Sequence, residues 1–242
     1  MGRSIRSLRL AGVVGVAALC WIEAASAQTA CQEDKVTAFD GGVFQSHGRA
    51  VAIWGDTALV GAHWDDDLGT QSGSAYVYQR EPGPEGNWVF AQKLLASDGG
   101  ASEHFGRSVA IEGDTAMVGA TAHLHNGQGG NGAVYVFKYD PDTSGWIQQQ
   151  ELVASDGAIG DGFGVSVSIS GDVALIGAPS DDDDGFASGS VYVFQFDPKT
   201  SQWIEVQKLT ASDAMTSDSF GGSVAVAGDL AVIGTPGQDG VA

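Results

Sequence analysis

The amino-acid sequence predicts an all-β protein, specifically a β-propeller of four-stranded blades, and three observations support this prediction. The first is a period, because the dipeptide Gly-Asp returns at 55–56, 113–114, 171–172 and 228–229, in steps of 58, 58 and 57 residues. The second is a set of other landmarks that keep the same step. The third is a gradient of side-chain size within each copy. A fixed period of this kind is typical of repeat architectures.

The other landmarks are a tryptophan, an Ala-Ser-Asp tripeptide and a Phe-Gly dipeptide. They occur as Trp88, Trp146 and Trp203, as Ala-Ser-Asp at 96–98, 154–156 and 211–213, and as Phe-Gly at 105–106, 163–164 and 220–221. Because independent landmarks share one period, the copies are expected to fold as equivalent units. The 36 glycines of the chain occupy fixed places in each copy, so we expect them to be turn residues.

The third copy shows the strands of one unit. Ser-Gly-Asp at 170–172 predicts a tight hairpin, since Gly and Asp tolerate the positive φ that such turns need, and an acidic loop follows at 181–189. Asp197-Pro198 predicts a break before the last strand. The alternating segments around these turns predict four strands, at 165–169, 173–177, 190–196 and 203–209.

Side-chain size grows along each unit. The first two predicted strands of the third copy carry small residues such as Ser166 and Ala174, whereas the last two carry Tyr192 and Trp203. Blades of a propeller converge at the axis and diverge at the rim, so this geometry favours small residues inside and aromatic residues outside. A flat β-solenoid would show no such gradient.

The N-terminus predicts export. Three arginines precede an apolar run at 10–22, and Ala-Ser-Ala at 25–27 has the form of a secretory cleavage site. We therefore expect a signal peptide at 1–27, a short segment at 28–35 and the propeller repeats at 36–242, with copies starting near 47, 105, 163 and 220. The apolar run is shorter than the roughly 20 residues that span a bilayer, so no membrane insertion is expected after cleavage.

The charge of the chain excludes some partners. Removing Arg3, Arg6, Arg9 and Glu23 with the signal peptide changes the formal net charge from −19 to −21. Nucleic acid and anionic membrane surfaces would be repelled by such a protein. The expected location is extracellular, with the periplasm and the cell surface as alternatives. Only Cys31 remains after cleavage, which excludes an intramolecular disulfide.

The two ends of the chain predict incomplete blades. Residues 36–42 align with 94–100, which are the tail of an outer strand, and the fourth copy stops at Ala242 after its second strand. Propellers typically have 4 to 8 blades. The favoured interpretation is a piece of a longer protein, and the alternative is pairing of the open edges with another chain.

The third copy combines Phe-Gly at 163–164 with Gly-Ala-Pro at 177–179. In this it resembles the FG-GAP repeat of integrin alpha subunits and of many secreted bacterial proteins, and the resemblance extends from about residue 36 to the end. The other copies carry variants, such as His47-Gly48 in the first. The resemblance implies a β-propeller that works outside the cell as an adhesion or interaction scaffold, often with calcium in blade loops.

The acidic loops after the second strand of a copy are the candidate metal sites, because alternate carboxylates followed by glycine suit a hard cation. The resemblance implies a D-x-D-x-D-G-x-x-D calcium loop, which 180–188 approaches with serine at its first and last ligand positions. The alternative is a solvated turn that keeps the surface soluble. The candidate calcium ligands are Asp65, Asp67, Asp181, Asp182, Asp183 and Asp184.

The second copy has histidines in this loop. His123 and His125 could bind a borderline transition metal, but the sequence offers no third ligand nearby, so a surface pair is the favoured interpretation. Other recurrent acids are predicted to accept backbone N–H bonds in turns between blades. They are Asp98, Asp156 and Asp213 in the Ala-Ser-Asp motif and Asp161 and Asp218 before the Phe-Gly motif.

These observations predict a non-enzymatic extracellular scaffold that binds a protein or glycan. The periodic tryptophans are expected to pack within blades, whereas Trp54 or Trp64 in the aberrant first copy could stack on a sugar or a partner. The alternative is a secreted propeller hydrolase or lyase acting on polysaccharide. That alternative would use the non-periodic residues His63, Trp64, His123 and His125.

Overall fold

The computed structural model describes residues 17–20, 33–42, 45–83, 86–123 and 130–237, which form 16 strands. Two short strands, β1 (Ala17–Cys20) and β2 (Glu33–Val36), pair with each other in antiparallel fashion. Three four-stranded antiparallel sheets and one two-stranded sheet follow along the chain. No helix in the described part of the chain is long and apolar enough to cross a bilayer.

Each sheet is one copy of the repeat, and consecutive strands are neighbours within it. Blade 1 consists of β3 (Ala50–Trp54), β4 (Thr57–Ala62), β5 (Ser74–Arg80) and β6 (Trp88–Leu94). Blade 2 consists of β7 (Phe105–Glu112), β8 (Thr115–Ala120), β9 (Ala133–Asp140) and β10 (Gly145–Leu152). Blade 3 consists of β11 (Ser166–Ser170), β12 (Val173–Ala178), β13 (Ser190–Asp197) and β14 (Gln202–Leu209). The partial blade 4 consists of β15 (Ser223–Ala227) and β16 (Leu230–Gly234).

The Gly-Asp dipeptides form the tight hairpins that join the first two strands of each blade. Gly55, Gly113, Gly171 and Gly228 have φ between 56° and 61°, a left-handed conformation that glycine adopts without a steric penalty. The prediction of a hairpin at each Gly-Asp is therefore confirmed.

Neighbouring blades pack face to face and converge on one side. The first strands, β3, β7, β11 and β15, contact each other extensively, whereas the last strands, β6, β10 and β14, touch at only a few positions. This wedge shape follows from the small residues of the first strands and the larger ones of the last. The predicted all-β propeller fold is confirmed, as three complete blades and a partial one.

Some glycines have a role other than the predicted turns. A Cβ on Gly61 would overlap the carbonyl oxygen of Gly106 in the next blade, and Gly119 faces Gly164 and Gly177 faces Gly221 in the same way. The glycine after each second strand and the glycine of the following Phe-Gly motif are thus the two sides of one close backbone contact. We call these three pairs the glycine seam.

The core lies between blades. Phe105 and Phe163 are fully buried between the sheets, where each ring contacts a tyrosine and a phenylalanine of its own blade. Trp146 and Trp203 are also buried, which confirms their predicted packing role. His47, which replaces the Phe of the motif in the first copy, is buried as well and contacts the hydroxyl of Tyr78 at 3.0 Å.

Polar contacts join the outer strands of neighbouring blades. The Gln92 side chain forms two hydrogen bonds with the backbone of Trp146, at 2.7 and 2.9 Å, and Gln150 repeats this with Trp203. Asp34 of β2 accepts a hydrogen bond from the Trp88 N–H at 2.9 Å, at the place where the other blades use glutamine. Asp34 thus occupies the position relative to Trp88 that Gln92 and Gln150 occupy relative to Trp146 and Trp203.

Strand β1 lies within the segment predicted to be a signal peptide, and cleavage at the predicted site would remove it. Residues 1–16 and 21–32, which contain most of that segment, the cleavage motif and Cys31, lie outside the described residues. The signal peptide and the export that it implies stay predictions.

Candidate functional site

A polar network recurs on one face of each complete blade, at the end where the second strand stops and the third begins. Its centre is a buried tyrosine of the third strand, Tyr76 in blade 1, Tyr135 in blade 2 and Tyr192 in blade 3. Each hydroxyl lies 2.7–2.8 Å from an aspartate in the turn before its blade, namely Asp40, Asp98 and Asp156. The tyrosine therefore links each blade to the preceding turn by a hydrogen bond.

In blade 1 the network closes around a lysine. The Lys93 ammonium lies 2.7 Å from Asp40, 3.0 Å from Asp65 and 2.6 Å from Asp67. Tyr76 also contacts Asp65, at 2.8 Å. One internal cation is thus surrounded by three carboxylates, which is the arrangement that a bound metal ion would also adopt.

Blade 3 repeats this arrangement. The Lys208 ammonium lies 2.9 Å from Asp156, 2.9 Å from Asp181 and 2.6 Å from Asp183. Burial alone would lower the pKa of each lysine, but hydrogen bonds to the surrounding carboxylates outweigh burial and raise the pKa of Lys93 and Lys208. Both ammonium groups therefore stay charged across the ordinary pH range.

The pKa of Asp65 shifts in the opposite direction to that of the lysines. Its side chain is buried, which would raise the pKa, but hydrogen bonds from Tyr76 and Lys93 hold that pKa below its usual value. The network in blade 1 is consequently an ionised cluster in which each buried charge has a partner.

Blade 2 exchanges the charges at two positions. His123 replaces Asp65 and Asp181, and Glu151 replaces Lys93 and Lys208. The His123 Nε2 atom lies 3.3 Å from Glu151 Oε1 and 3.7 Å from Asp98 Oδ2. Its Nδ1 atom lies 3.2 Å from Glu103 Oε2. The cation of this network is therefore a histidine in the loop instead of a lysine on the outer strand.

Burial would lower the pKa of His123, but hydrogen bonds to Glu151 and Glu103 outweigh it and raise that pKa to about 9. Ligand atoms of Asp98, His123 and Glu151 all lie within 4.8 Å of one another, so this cluster could hold a metal ion. The sequence prediction of a surface histidine pair is wrong for His123, which is buried. His125 lies outside the described residues.

The structure places the six predicted calcium ligands in two groups. Asp65, Asp67, Asp181 and Asp183 surround the lysines, whereas the side chains of Asp182 and Asp184 are exposed. Sequence reasoning did not single out Lys93, Glu151 or Lys208. The signal was available, because these residues keep the repeat period of 58 and 57 residues and change charge in the second copy alone.

The acids before the Phe-Gly motif have the predicted structural role. Asp161 accepts a hydrogen bond from the backbone N–H of Ala158 at 2.6 Å, and Asp218 accepts one from Met215 at 2.7 Å. Glu103 does the same for Gly100 at 2.9 Å, and its longer side chain also reaches His123. The prediction differs from the structure for Asp98 and Asp156, whose side chains contact tyrosine hydroxyls instead.

A second candidate site lies on the same face, between blades 1 and 2. It is a cavity of about 520 Å³ that we call the basic cavity, lined by Ser46, Arg49, His63, Trp64, His104 and Arg107. Neither arginine forms an ion pair with a residue that the structure describes. The Trp64 side chain is 41% exposed, as predicted for a tryptophan of the first copy, and its ring lies 5.0 Å from that of His63.

His63 is only 8% exposed, and its Nδ1 atom has no hydrogen-bond partner among the described residues. Burial, together with the charges of Arg49 and His104, lowers the pKa of His63 to about 4. Burial also lowers the pKa of His104. The basic cavity thus has two permanent positive charges, two neutral imidazoles and an exposed aromatic face.

The fold and the recurrent network define a repeat protein of propeller blades. The family model described as FG-GAP repeat matches residues 31–78, 88–137, 146–194 and 203–242. The chain therefore belongs to the FG-GAP repeat family, as the sequence motifs suggested. No curated protein matches the chain significantly.

Two solved structures similar to the chain are those of Saccharomyces cerevisiae Sqt1 and of YjhT. Sqt1 is 12% identical with a TM-score of 0.42, and the match covers 72% of this chain and 38% of Sqt1. YjhT is 18% identical with a TM-score of 0.42, and the match covers 78% of this chain and 57% of YjhT. The chain thus spans less than two thirds of either protein.

Proposed function

We propose that this chain is a non-enzymatic binding scaffold that works outside the cell and that its basic cavity binds an acidic glycan. The observation that carries the proposal is the composition of that cavity. A chain with a formal net charge of −19 places two arginines beside an exposed tryptophan, and neither arginine forms an ion pair with a described residue. Arginines that no carboxylate of the described residues pairs with are available to an anionic ligand.

The chemistry of the lining suits a charged sugar. An indole ring can stack on the apolar face of a sugar ring, and guanidinium groups can pair with a carboxylate or sulfate in a bidentate manner. A volume of about 520 Å³ also lies within the range of ordinary small-ligand sites.

The test is a binding assay with soluble oligosaccharides. We expect oligogalacturonate to bind the mature protein, and a neutral cello-oligosaccharide of equal length to bind much more weakly. The variant Arg49→Ala/Arg107→Ala should lose binding of the acidic ligand, and Trp64→Ala should weaken it. Lys199→Ala, in the turn between β13 and β14, removes a positive charge away from the cavity and is the matched control. Equal binding of both oligosaccharides, or unchanged binding by the double variant, would contradict the proposal.

A second candidate, a polysaccharide hydrolase or lyase, is favoured by one observation. The rings of His63 and His104 lie 5.9 Å apart beside Trp64, and a neutral imidazole can act as a general base. The same acidic oligosaccharides should be assayed for cleavage. Turnover that disappears in His63→Gln would replace the scaffold proposal with this one.

Calcium in the acidic loops is the remaining part of the proposed function. The ion would compete with Lys93 and Lys208 for the carboxylates that these lysines hold. We therefore expect a Lys93→Ala/Lys208→Ala variant to bind calcium more tightly than the natural chain in isothermal titration. Calcium affinity that does not change in the variant would show that these loops are not the site.

Export to the extracellular space, the periplasm or the cell surface is the location that this proposal requires. Mass spectrometry of the mature protein is the direct measurement, and the expected N-terminus is Gln28. A mature chain that keeps residues 1–27 would contradict the predicted cleavage.

A further inference from the structure

We propose that Asp98, His123 and Glu151 of blade 2 bind one divalent transition metal ion of the borderline class, such as Zn²⁺ or Co²⁺. This site differs from the predicted calcium loops in its residues and in its donor atoms. It is also independent of the proposed glycan cavity, because none of its three residues lines that cavity.

The cluster lies where the other two blades hold a cation. In blades 1 and 3 the corresponding place is filled by the ammonium group of Lys93 or Lys208, which contacts three carboxylates in each case. In blade 2 a glutamate replaces the lysine, so Glu151 adds a carboxylate at a place where the other blades supply a positive charge. A divalent cation among Asp98, His123 and Glu151 would take the role that Lys93 and Lys208 have in the other two blades, in place of the proton that otherwise makes His123 the cation of this network.

The donor atoms of the cluster are of mixed type. One imidazole nitrogen and two carboxylate oxygens lie within 4.8 Å of one another, a separation that a metal between them can bridge. Calcium prefers oxygen ligands throughout, whereas a mixed nitrogen and oxygen set favours zinc and its neighbours in the first transition row. The replacement of aspartate by His123 therefore changes the class of ion that this loop selects.

A carboxylate also lies behind the histidine. Nε2 lies 3.3 Å from Glu151 and 3.7 Å from Asp98, whereas Nδ1 lies 3.2 Å from Glu103. The Tyr135 hydroxyl contacts both ring nitrogens, at 3.1 Å from Nδ1 and 3.3 Å from Nε2. A metal-bound histidine usually donates its other ring N–H to a carboxylate, which fixes the tautomer and the orientation of the ring. Glu103 is itself held by the Gly100 N–H, so this positioning residue is already fixed.

An ion could also reach the site. The Asp98 side chain is 49% exposed and that of Glu151 is 22% exposed, whereas that of His123 is 3% exposed. Water would complete the coordination of an ion from the side of the exposed Asp98 carboxylate. The adjacent Tyr135 hydroxyl, 2.8 Å from Asp98 Oδ1, orients that carboxylate.

The experiment uses the full mature chain after treatment with a chelator. Isothermal titration with Zn²⁺, and the visible absorption spectrum of added Co²⁺, should both report one site of mixed nitrogen and oxygen coordination. The decisive variant is His123→Asp/Glu151→Lys, which gives blade 2 the residues of blades 1 and 3. We expect this variant to fold, by circular dichroism and thermal melting, and to bind Zn²⁺ at least 100-fold more weakly.

Two further variants sharpen the test. Glu103→Gln should weaken Zn²⁺ binding by about 10- to 100-fold, because it removes the carboxylate behind the ring. Asp65→His/Lys93→Glu should create a second equivalent of binding in blade 1. The proposal is overturned if the natural chain binds no Zn²⁺, or if the His123→Asp/Glu151→Lys variant binds it as tightly as the natural chain.

Discussion

Blades 1 and 3 differ from blade 2 in the network that joins each of them to the preceding turn. All three place a tyrosine hydroxyl against an aspartate at 2.7–2.8 Å. Around that pair, blades 1 and 3 set a lysine on the outer strand against an aspartate in the loop, whereas blade 2 sets a glutamate against a histidine. The geometry is the same although the charges are exchanged.

The comparison shows that this position requires charge balance more than particular residues. A buried charge is costly without a partner, so a change of Lys to Glu on the outer strand requires a compensating change in the loop. His123 meets that requirement with a proton, and a metal ion at the same place would meet it too. Glu151 in place of the lysine and His123 in place of the aspartate therefore have to be considered as one change.

The largest loss of stability is expected when the charge balance is broken in one blade alone. Lys93→Glu would put a fourth carboxylate beside Asp40, Asp65 and Asp67 and should destabilise the protein by about 3–5 kcal/mol, the usual result of leaving buried charges unpaired. Urea denaturation followed by tryptophan fluorescence measures this loss. The control Lys199→Glu changes an exposed lysine and should cost less than about 0.5 kcal/mol. Equal effects of the two changes would refute the importance of the network.

The next prediction concerns pH and the histidine of the basic cavity. Because the folded pKa of His63 is about 4, below the ordinary value of 6.5, the unfolded chain binds the proton more readily. Neutral His63 makes its full contribution to the free energy of unfolding above pH 6.5. Up to about 3 kcal/mol of that free energy is lost as the pH falls towards 4. Urea denaturation between pH 7 and 4 should show a smaller loss in His63→Gln than in the natural chain. If the free energy of unfolding depends on pH equally in both proteins, His63 is not the group that causes the loss of stability.

A smaller loss of stability should be common to all complete blades when the tyrosine hydroxyl is removed. Removing one hydroxyl with Tyr76→Phe or Tyr135→Phe should cost about 1–2 kcal/mol each, because a carboxylate of the network loses a hydrogen bond from a buried hydroxyl. Similar losses in the two variants, measured by thermal melting, would show that tyrosine has one role in both kinds of network. A loss in one blade only would show that the exchange of charges also changed the role of the tyrosine.

The smallest expected effect is a gain in stability. Ser108 and Ser166 each donate a hydrogen bond of 2.7 Å to the glycine carbonyl of the next Phe-Gly motif, whereas blade 1 has Ala50 at that position. Ala50→Ser should therefore stabilise the protein by about 0.5–1 kcal/mol through an equivalent bond to Gly106. Ser108→Ala is the matched reverse change, and a melting temperature that moves in the same direction for both would contradict this explanation.

The repeat period carried most of the information about the fold. The strands predicted for the third copy at 165–169, 173–177, 190–196 and 203–209 agree within one residue with β11, β12, β13 and β14. Local patterns were sufficient because each blade is a sheet of consecutive strands. The glycine seam could not be derived in the same way, since it joins positions about 45 residues apart in different blades.

The candidate site was predicted only in part. The acidic loops were recognised, but their partners Lys93 and Lys208 lie on the fourth strand, 25 or more residues away from the loop carboxylates. The two ligands that the sequence did not offer near His123 are Glu151, on the fourth strand of blade 2, and Asp98, in the turn before that blade. Convergence of residues from three separate elements is a property of the folded blade, so a search along neighbouring positions missed it.

The glycine seam allows the chemistry of a blade to vary independently of its position. The spacing between neighbouring sheets is set by backbone against backbone at Gly61 and Gly106 and at their equivalents, where no side chain intervenes. Exchanges at the tyrosine network, such as His123 and Glu151, therefore alter the charges and donor atoms of one blade without changing the angle at which the next blade is attached. A duplicated unit of this type can change the chemistry of its loops while its neighbours keep theirs.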